Sequence, residues 1–132
     1  MLALASCAPG SSSKSSVTSA TDAYTVVDAQ FVIDNADSKP LVDVRTAREY
    51  NAGHIPKAVN IEYSEVMSKD ATQAAAMVDE YRAAGIGADS DVIIYCRTGK
   101  RAKAVAEILW NAGYSNIYLY EGSWTDWTTD SN

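Results

Sequence analysis

Five short runs rich in branched and aromatic residues recur from Tyr24 onward: YTVV (24–27), LVDVR (41–45), AVNI (58–61), DVIIYC (91–96) and NIYLYE (116–121). Each has the length and β-propensity of a single strand, and helical patterns lie between them. Strands that alternate with helices pair mostly in parallel, with both faces of the sheet covered. The spacing therefore predicts an α/β fold around a five-stranded, mostly parallel sheet. In the connections, Asp28 is placed to cap a small helix through Asp34, and Asp70 with Gln73 has the form of a capping box. Ala74, Met77, Val78 and Tyr81 then share one helical face, and Gly85 suits that helix's end. After Cys96, a second helix places Ala102, Val105, Ala106 and Leu109 on one face, with Lys103 and Glu107 directed elsewhere.

The remaining composition narrows the chemistry. A chain of 132 residues that is 47% hydrophobic can bury one core and reads as a single domain. Its formal net charge of −6 argues against nucleic acid as a partner, since phosphate binding needs a basic face. Two cysteines, Cys7 and Cys96, are too few for a disulfide scaffold or a cysteine-rich metal site. With His54 as the single histidine, a histidine-based zinc site is not expected, and no metal is assigned. No apolar run is long enough to span a bilayer.

The N-terminal region has a different character. MLALASC (1–7) ends in Leu4-Ala5-Ser6-Cys7, which resembles a lipoprotein lipobox with Cys7 as the site of lipid attachment. Only six residues precede Cys7, so either a full secretory signal begins upstream of this numbering or the match is chance in an Ala/Leu-rich end. Residues 8–21 are Ser-rich and read as a flexible tether, leaving residues 22–130 as the folded domain. On this reading a lipid anchor is the only membrane contact, and the domain stands in the bacterial cell envelope, periplasmic or otherwise extracytoplasmic. Without the lipid it would be soluble.

The loop after Cys96 carries the chemistry. Cys96 sits at the carboxyl end of a strand, where ligands of parallel sheets bind, and a helix begins just beyond it. Unpaired amides and aligned peptide dipoles at a helix start favour an anion. A cysteine is nucleophilic as the thiolate, which helix N-termini and neighbouring cations favour. Arg97, Lys100 and Arg101 all lie within five residues of the thiol, and Thr98 and Gly99 suit a tight turn of converging amides. The cations are thus explained as partners for a thiolate, or for an anion bound to the sulfur. The bland alternative is a buried structural cysteine.

LVDVRTAREYNAGHIPKAVNI, VIIYCRTGKRA and LYEGSWTDW, taken together, resemble a rhodanese-like domain, and the likeness runs from Tyr24 to Trp127. The resemblance implies a sulfurtransferase that takes a sulfur atom from a donor such as thiosulfate and passes it to cyanide or a thiol. It implies that Cys96 carries the sulfur as a persulfide, and that Arg97, Thr98, Gly99, Lys100 and Arg101 form the substrate-binding loop, with Arg101 a contact for an anionic donor. No cofactor is implied, and a protein acceptor is one possible partner. Related phosphatases place five residues between cysteine and arginine; here four separate Cys96 from Arg101, which favours a single sulfur over a tetrahedral oxyanion. A phosphatase or arsenate reductase is therefore the less favoured enzyme, and a non-enzymatic persulfide carrier is the alternative of another kind.

Asp43, Arg45 and Glu49 are expected as framework beside the site, with Arg45 and Glu49 four apart and suited to an ion pair. His54 is expected to be a hydrogen-bonded fixture, and Trp124 and Trp127 to pack, or to wall the pocket. Two positions depart from the family pattern. Lys57 stands where glycine is common, so the turn there is expected to differ or to have another cation nearby, and Ser123 replaces the second of two glycines, leaving the pocket floor open.

Overall fold

In the computed structural model, which describes residues 17–20 and 23–130, one sheet organises the chain. Its strands are β1 (Val17–Ala20), β2 (Thr25–Val27), β3 (Leu41–Asp43), β4 (Val59–Asn60), β5 (Asp91–Tyr95) and β6 (Asn116–Tyr120), in the order β1-β2-β6-β5-β3-β4. Every neighbouring pair from β2 to β4 is parallel. These are the five strands expected from the sequence, each slightly shorter than its apolar run. The helices are α1 (Ala29–Asn35), α2 (Ala47–Ala52), α3 (Ala71–Ala83), α4 (Lys100–Asn111) and α5 (Ser123–Asp130), with a 3-10 turn at Glu65–Ser68.

Within the tether expected over residues 8–21, residues 17–20 form a strand beside β2. Val17–Ala20 pairs antiparallel with β2, Val17 opposite Val27 and Ala20 opposite Thr25. The physical reason is local: Val17 and Thr18 favour extended backbone, and β2 would otherwise present an open edge. Cys7, the lipobox and the rest of residues 1–16 lie outside the described residues.

Alternation along the strands separates two cores. Val42, Val92, Ile94 and Leu119 face α3 and α4, where Met77, Val78, Tyr81, Ala102, Val105, Ala106 and Leu109 meet them. Leu41, Ile93, Tyr95 and Tyr120 face the other way, against Phe31 and Val32 of α1, Tyr50 of α2, and Trp124 and Trp127 of α5. Val42, Val92, Ile93 and Ile94 are wholly buried, each worth about 1.5–3 kcal/mol of removed apolar surface. Asp28 caps as expected, accepting from the Phe31 amide; Asp70 also caps, accepting from the amides of Thr72 and Gln73, but without the reciprocal Gln73 bond of the expected capping box. The two-sided burial has a consequence for the site. Cys96, following Ile94 by two, belongs to the α3/α4 side, while Tyr95 points to the opposite core.

Candidate active site

Cys96 leaves the end of β5 and is 1% exposed. Its Sγ accepts a hydrogen bond from the Gly99 amide at 3.0 Å, so the turn curls its backbone onto the sulfur. Gly99 is required there: its φ is +99°, and a Cβ would stand 2.5 Å from the Glu121 carbonyl oxygen. Helix α4 starts at Lys100 with Gly99 as its N-cap, so Lys100 and Arg101 are its first residues rather than loop. Arg97, Thr98 and Lys100 are exposed, and neither Arg97 nor Lys100 forms an ion pair among the described residues.

Helix α5, unread in the sequence, fixes the other flank of the turn. Its Trp124 amide donates to the Cys96 carbonyl and its Thr125 amide to the Arg97 carbonyl, both at 3.0 Å. Ser123 is fully buried at φ +62° and settles the floor of the site. Its hydroxyl accepts from the Cys96 amide at 3.2 Å and donates to the Tyr120 carbonyl at 2.8 Å. The Cys96 amide is thereby turned away from the sulfur's cradle.

The expected ion pair between Arg45 and Glu49 is not formed. Arg45 instead grips Asp43, Nε to Oδ1 at 3.0 Å and Nη2 to Oδ2 at 2.6 Å, and Nη2 also donates to the Gly53 carbonyl at 2.7 Å. The Tyr95 hydroxyl completes this buried group, donating to Asp43 Oδ2 at 2.7 Å and accepting from the Ile55 amide at 3.0 Å. Burial is the largest influence on Arg45 and disfavours its charge, yet Asp43 outweighs it and raises the pKa above its ordinary value. Burial likewise pushes the Tyr95 hydroxyl up. The Arg45 guanidinium lies 4.9 Å from the Trp124 ring centroid.

Glu49 reaches Arg101 across 52 residues of sequence, Oε1 to Nη1 at 2.8 Å and Oε2 to Nη2 at 3.1 Å. It also closes a capping box with Thr46 at the start of α2, a signal present in the sequence as Thr46-Ala47-Arg48-Glu49 and passed over there. The Arg101 guanidinium holds the Glu49 carboxyl down at about 2, against burial and with help from the Thr46 amide. In return Glu49, against burial, raises Arg101 above its ordinary pKa, with Cys96 adding a smaller contribution. Arg101 is therefore paired with Glu49 in this structure. His54 is a fixture as expected, its Nδ1 2.9 Å from the Tyr50 carbonyl and its ring stacked on Tyr50. Lys57 keeps a left-handed turn at φ +78° and pairs with Asp37.

Beside the turn, a cleft of 410 Å³ is lined by Arg45, Glu49, Gly53, Arg97, Trp124 and Thr129, among others. A larger groove of 540 Å³ lies between α3 and α4, but none of the residues from Cys96 to Arg101 lines it. Of the residues from Cys96 to Arg101, Arg97 alone lines the smaller cleft.

The family model described as "Rhodanese-like domain" matches residues 28–130. The chain belongs to this family. A thiosulfate:glutathione sulfurtransferase of Saccharomyces cerevisiae is 30% identical over 121 residues, covering 91% of this rhodanese-like chain and 87% of the relative. The sulfur carrier protein TtuD of Thermus thermophilus is 34% identical over 106 residues, covering 66% of this chain and 37% of the relative. The chain spans between 37% and 42% of the length of several bacterial and archaeal relatives it matches. Among solved structures, a human single-domain sulfurtransferase superposes with a TM-score of 0.65 at 27% identity, covering 81% of this chain and 97% of that one. Relatives named for sulfur transfer thus match both the sequence and the fold of this rhodanese-like domain.

Proposed function

We propose that the protein is a sulfurtransferase that carries sulfur as a persulfide on Cys96. The observation that supports this most directly is the Gly99 amide directed at Cys96 Sγ from 3.0 Å, at the start of α4. A thiolate, or the terminal sulfur of a persulfide, meets the Gly99 amide and the helix dipole there without a histidine base. In the first half-reaction the Cys96 thiolate attacks the outer sulfur of thiosulfate. A bond forms between Cys96 Sγ and that sulfur, the S–S bond of the donor breaks, and sulfite leaves with the electron pair. In the second, an acceptor, cyanide or a thiol, takes the outer sulfur and returns Cys96 as thiolate, the two-step logic of covalent catalysis.

A phosphatase reading fits less well. Arg101 is committed to Glu49, and the short turn already brings Gly99 against the sulfur, leaving little room for a tetrahedral oxyanion. A carrier without turnover of its own is the second reading, favoured by the 1% exposure of Cys96 and by the relative named as a sulfur carrier. Intact-mass measurement after thiosulfate tests the proposal, with Cys96→Ala as control. The expected result is a gain of one sulfur on the parent, none on the control, and its loss on adding cyanide. No gain on the parent overturns it, and a stable gain that cyanide and thiols leave untouched favours the carrier.

A further inference from the structure

Of the cations within five residues of Cys96, Arg101 is the one whose charge is cancelled inside the protein. Arg97 and Lys100 are exposed, and neither forms an ion pair among the described residues. Arg101, in the first turn of α4, is 28% exposed and meets both carboxylate oxygens of Glu49, at 2.8 and 3.1 Å. Those two oxygens fill the guanidinium fork, the geometry by which arginine also grips other oxyanions. Glu49 first, and Cys96 to a smaller degree, raise the Arg101 pKa against the opposing effect of burial, so guanidinium and thiol lie within electrostatic reach of each other. The Glu49 carboxyl is held at about 2 by Arg101, so it carries its full negative charge near neutral pH. Two effects of the pair are separable. As a link between α2 and α4 it stabilises the fold whatever the donor. As a cancelled charge beside the sulfur it weighs on donors in proportion to their own charge, because the attraction lost is Coulombic.

We propose that Glu49 is a specificity-determining residue of the sulfur-loading step: by pairing with Arg101 it withholds that cation and lowers the site's preference for doubly over singly charged donors. The inference deepens the sulfur-transfer reading above and rests on it. Thiosulfate carries two negative charges and methanethiosulfonate one, and both load Cys96 by the same step. The thiolate bonds to the outer sulfur, the S–S bond of the donor breaks, and the electron pair leaves with sulfite or methanesulfinate. Two donors that differ in charge but not in reaction isolate the electrostatic effect.

The test uses the full chain, cleared of sulfur with cyanide, and follows single-turnover loading by intact mass with each donor at low concentration. In Glu49→Gln the side chain keeps an oxygen for the Thr46 amide and loses the charge, leaving Arg101 uncancelled. Loading by thiosulfate is expected to speed up roughly fivefold, the scale of a part-exposed ion pair, and loading by the singly charged donor about twofold. The ratio of thiosulfate to methanethiosulfonate rates therefore rises about twofold. In the double variant Glu49→Gln with Arg101→Gln no freed cation remains, and the ratio is expected to return to the parent's. A smaller folded fraction scales both donors' rates alike, so a merely structural role leaves the ratio untouched. If the parent loads and the ratio is unchanged in Glu49→Gln, the role of Glu49 is overturned while sulfur transfer stands. A raised ratio that persists in the double variant also overturns it, since Glu49 would then act on the donor without Arg101. If the parent loads with neither donor, the sulfur-transfer reading falls and this one with it.

Discussion

Glu49→Gln isolates the charge that joins α2 to α4. The glutamine keeps an oxygen for the Thr46 amide, so the cap survives and the carboxylate's pairing with Arg101 is what changes. The carboxyl is held at about 2 against an ordinary 4.5. At about 1.4 kcal/mol per pH unit, this gap corresponds to about 3 kcal/mol of stability before screening. The Glu49 side chain is 27% exposed, so salt and solvent reduce the figure to about 2 kcal/mol. The sign follows from a folded-state pKa that is depressed. The contribution is complete above about 4.5, where the unfolded carboxyl is also ionised, and it drains away as pH falls toward 2. Urea unfolding of parent and variant at pH 7, 4.5 and 3 reads this directly. The parent should lead by about 2 kcal/mol at pH 7, and the lead should shrink by about half at pH 3. A lead that stays constant across the window would refute the assignment of the depressed pKa to the Arg101 pair.

Three further substitutions probe other parts of the frame. Gly99→Ala forces a side chain into a left-handed turn and against the Glu121 carbonyl, so a loss of at least about 2 kcal/mol by thermal or urea unfolding is expected, together with slower persulfide formation; an unchanged midpoint would mean the turn relaxes freely. Asp43→Ala strands Arg45, 3% exposed, without its partner, and should cost about 3–5 kcal/mol in urea. A cost below about 1 kcal/mol would mean the guanidinium finds water. Tyr81→Phe removes a buried hydroxyl that lacks a hydrogen-bond partner among the described residues, so stability should hold or rise by about 1 kcal/mol, and a clear fall in Tm would show that the hydroxyl is satisfied.

What the sequence could and could not reveal follows from the range of each interaction. The Asp43–Arg45 pair is a two-residue relation at a strand end, where alternate side chains share a face, yet helical spacing pointed to Arg45 and Glu49 instead. Two facts decide between them. Arg45 precedes the N-cap Thr46 and so is not on α2, and Asp43 lies within reach on the extended side. The partner of Glu49 was hidden for a different reason. Arg101 is 52 residues away and meets it only because β3 and β5 are neighbours in the sheet, delivering α2 and α4 to the same edge. Cys96, by contrast, was legible because its signals are contiguous: an apolar strand, a thiol, a glycine turn and an amphipathic helix. Helix α5 was obscured by composition, since Ser123-Trp124-Thr125-Asp126-Trp127-Thr128-Thr129 is rich in poor helix formers and is held by its amides' bonds to Cys96 and Arg97.

Lys57 and Ser123 show how firmly the frame dictates its turns. Both take positive φ without being glycine, at +78° and +62°, a conformation that costs an L-residue about 1–2 kcal/mol. Each has a compensation that glycine lacks. Lys57 gains an ion pair with Asp37, but both side chains are more than half exposed, so little is recovered. Ser123 is fully buried, and its hydroxyl takes the Cys96 amide that would otherwise be orphaned there. The strain at Lys57 is thus a local cost of a peripheral turn. At Ser123 it is coupled to the nucleophile's own backbone, so the residue that left the pocket floor open in the sequence is one of those that position Cys96.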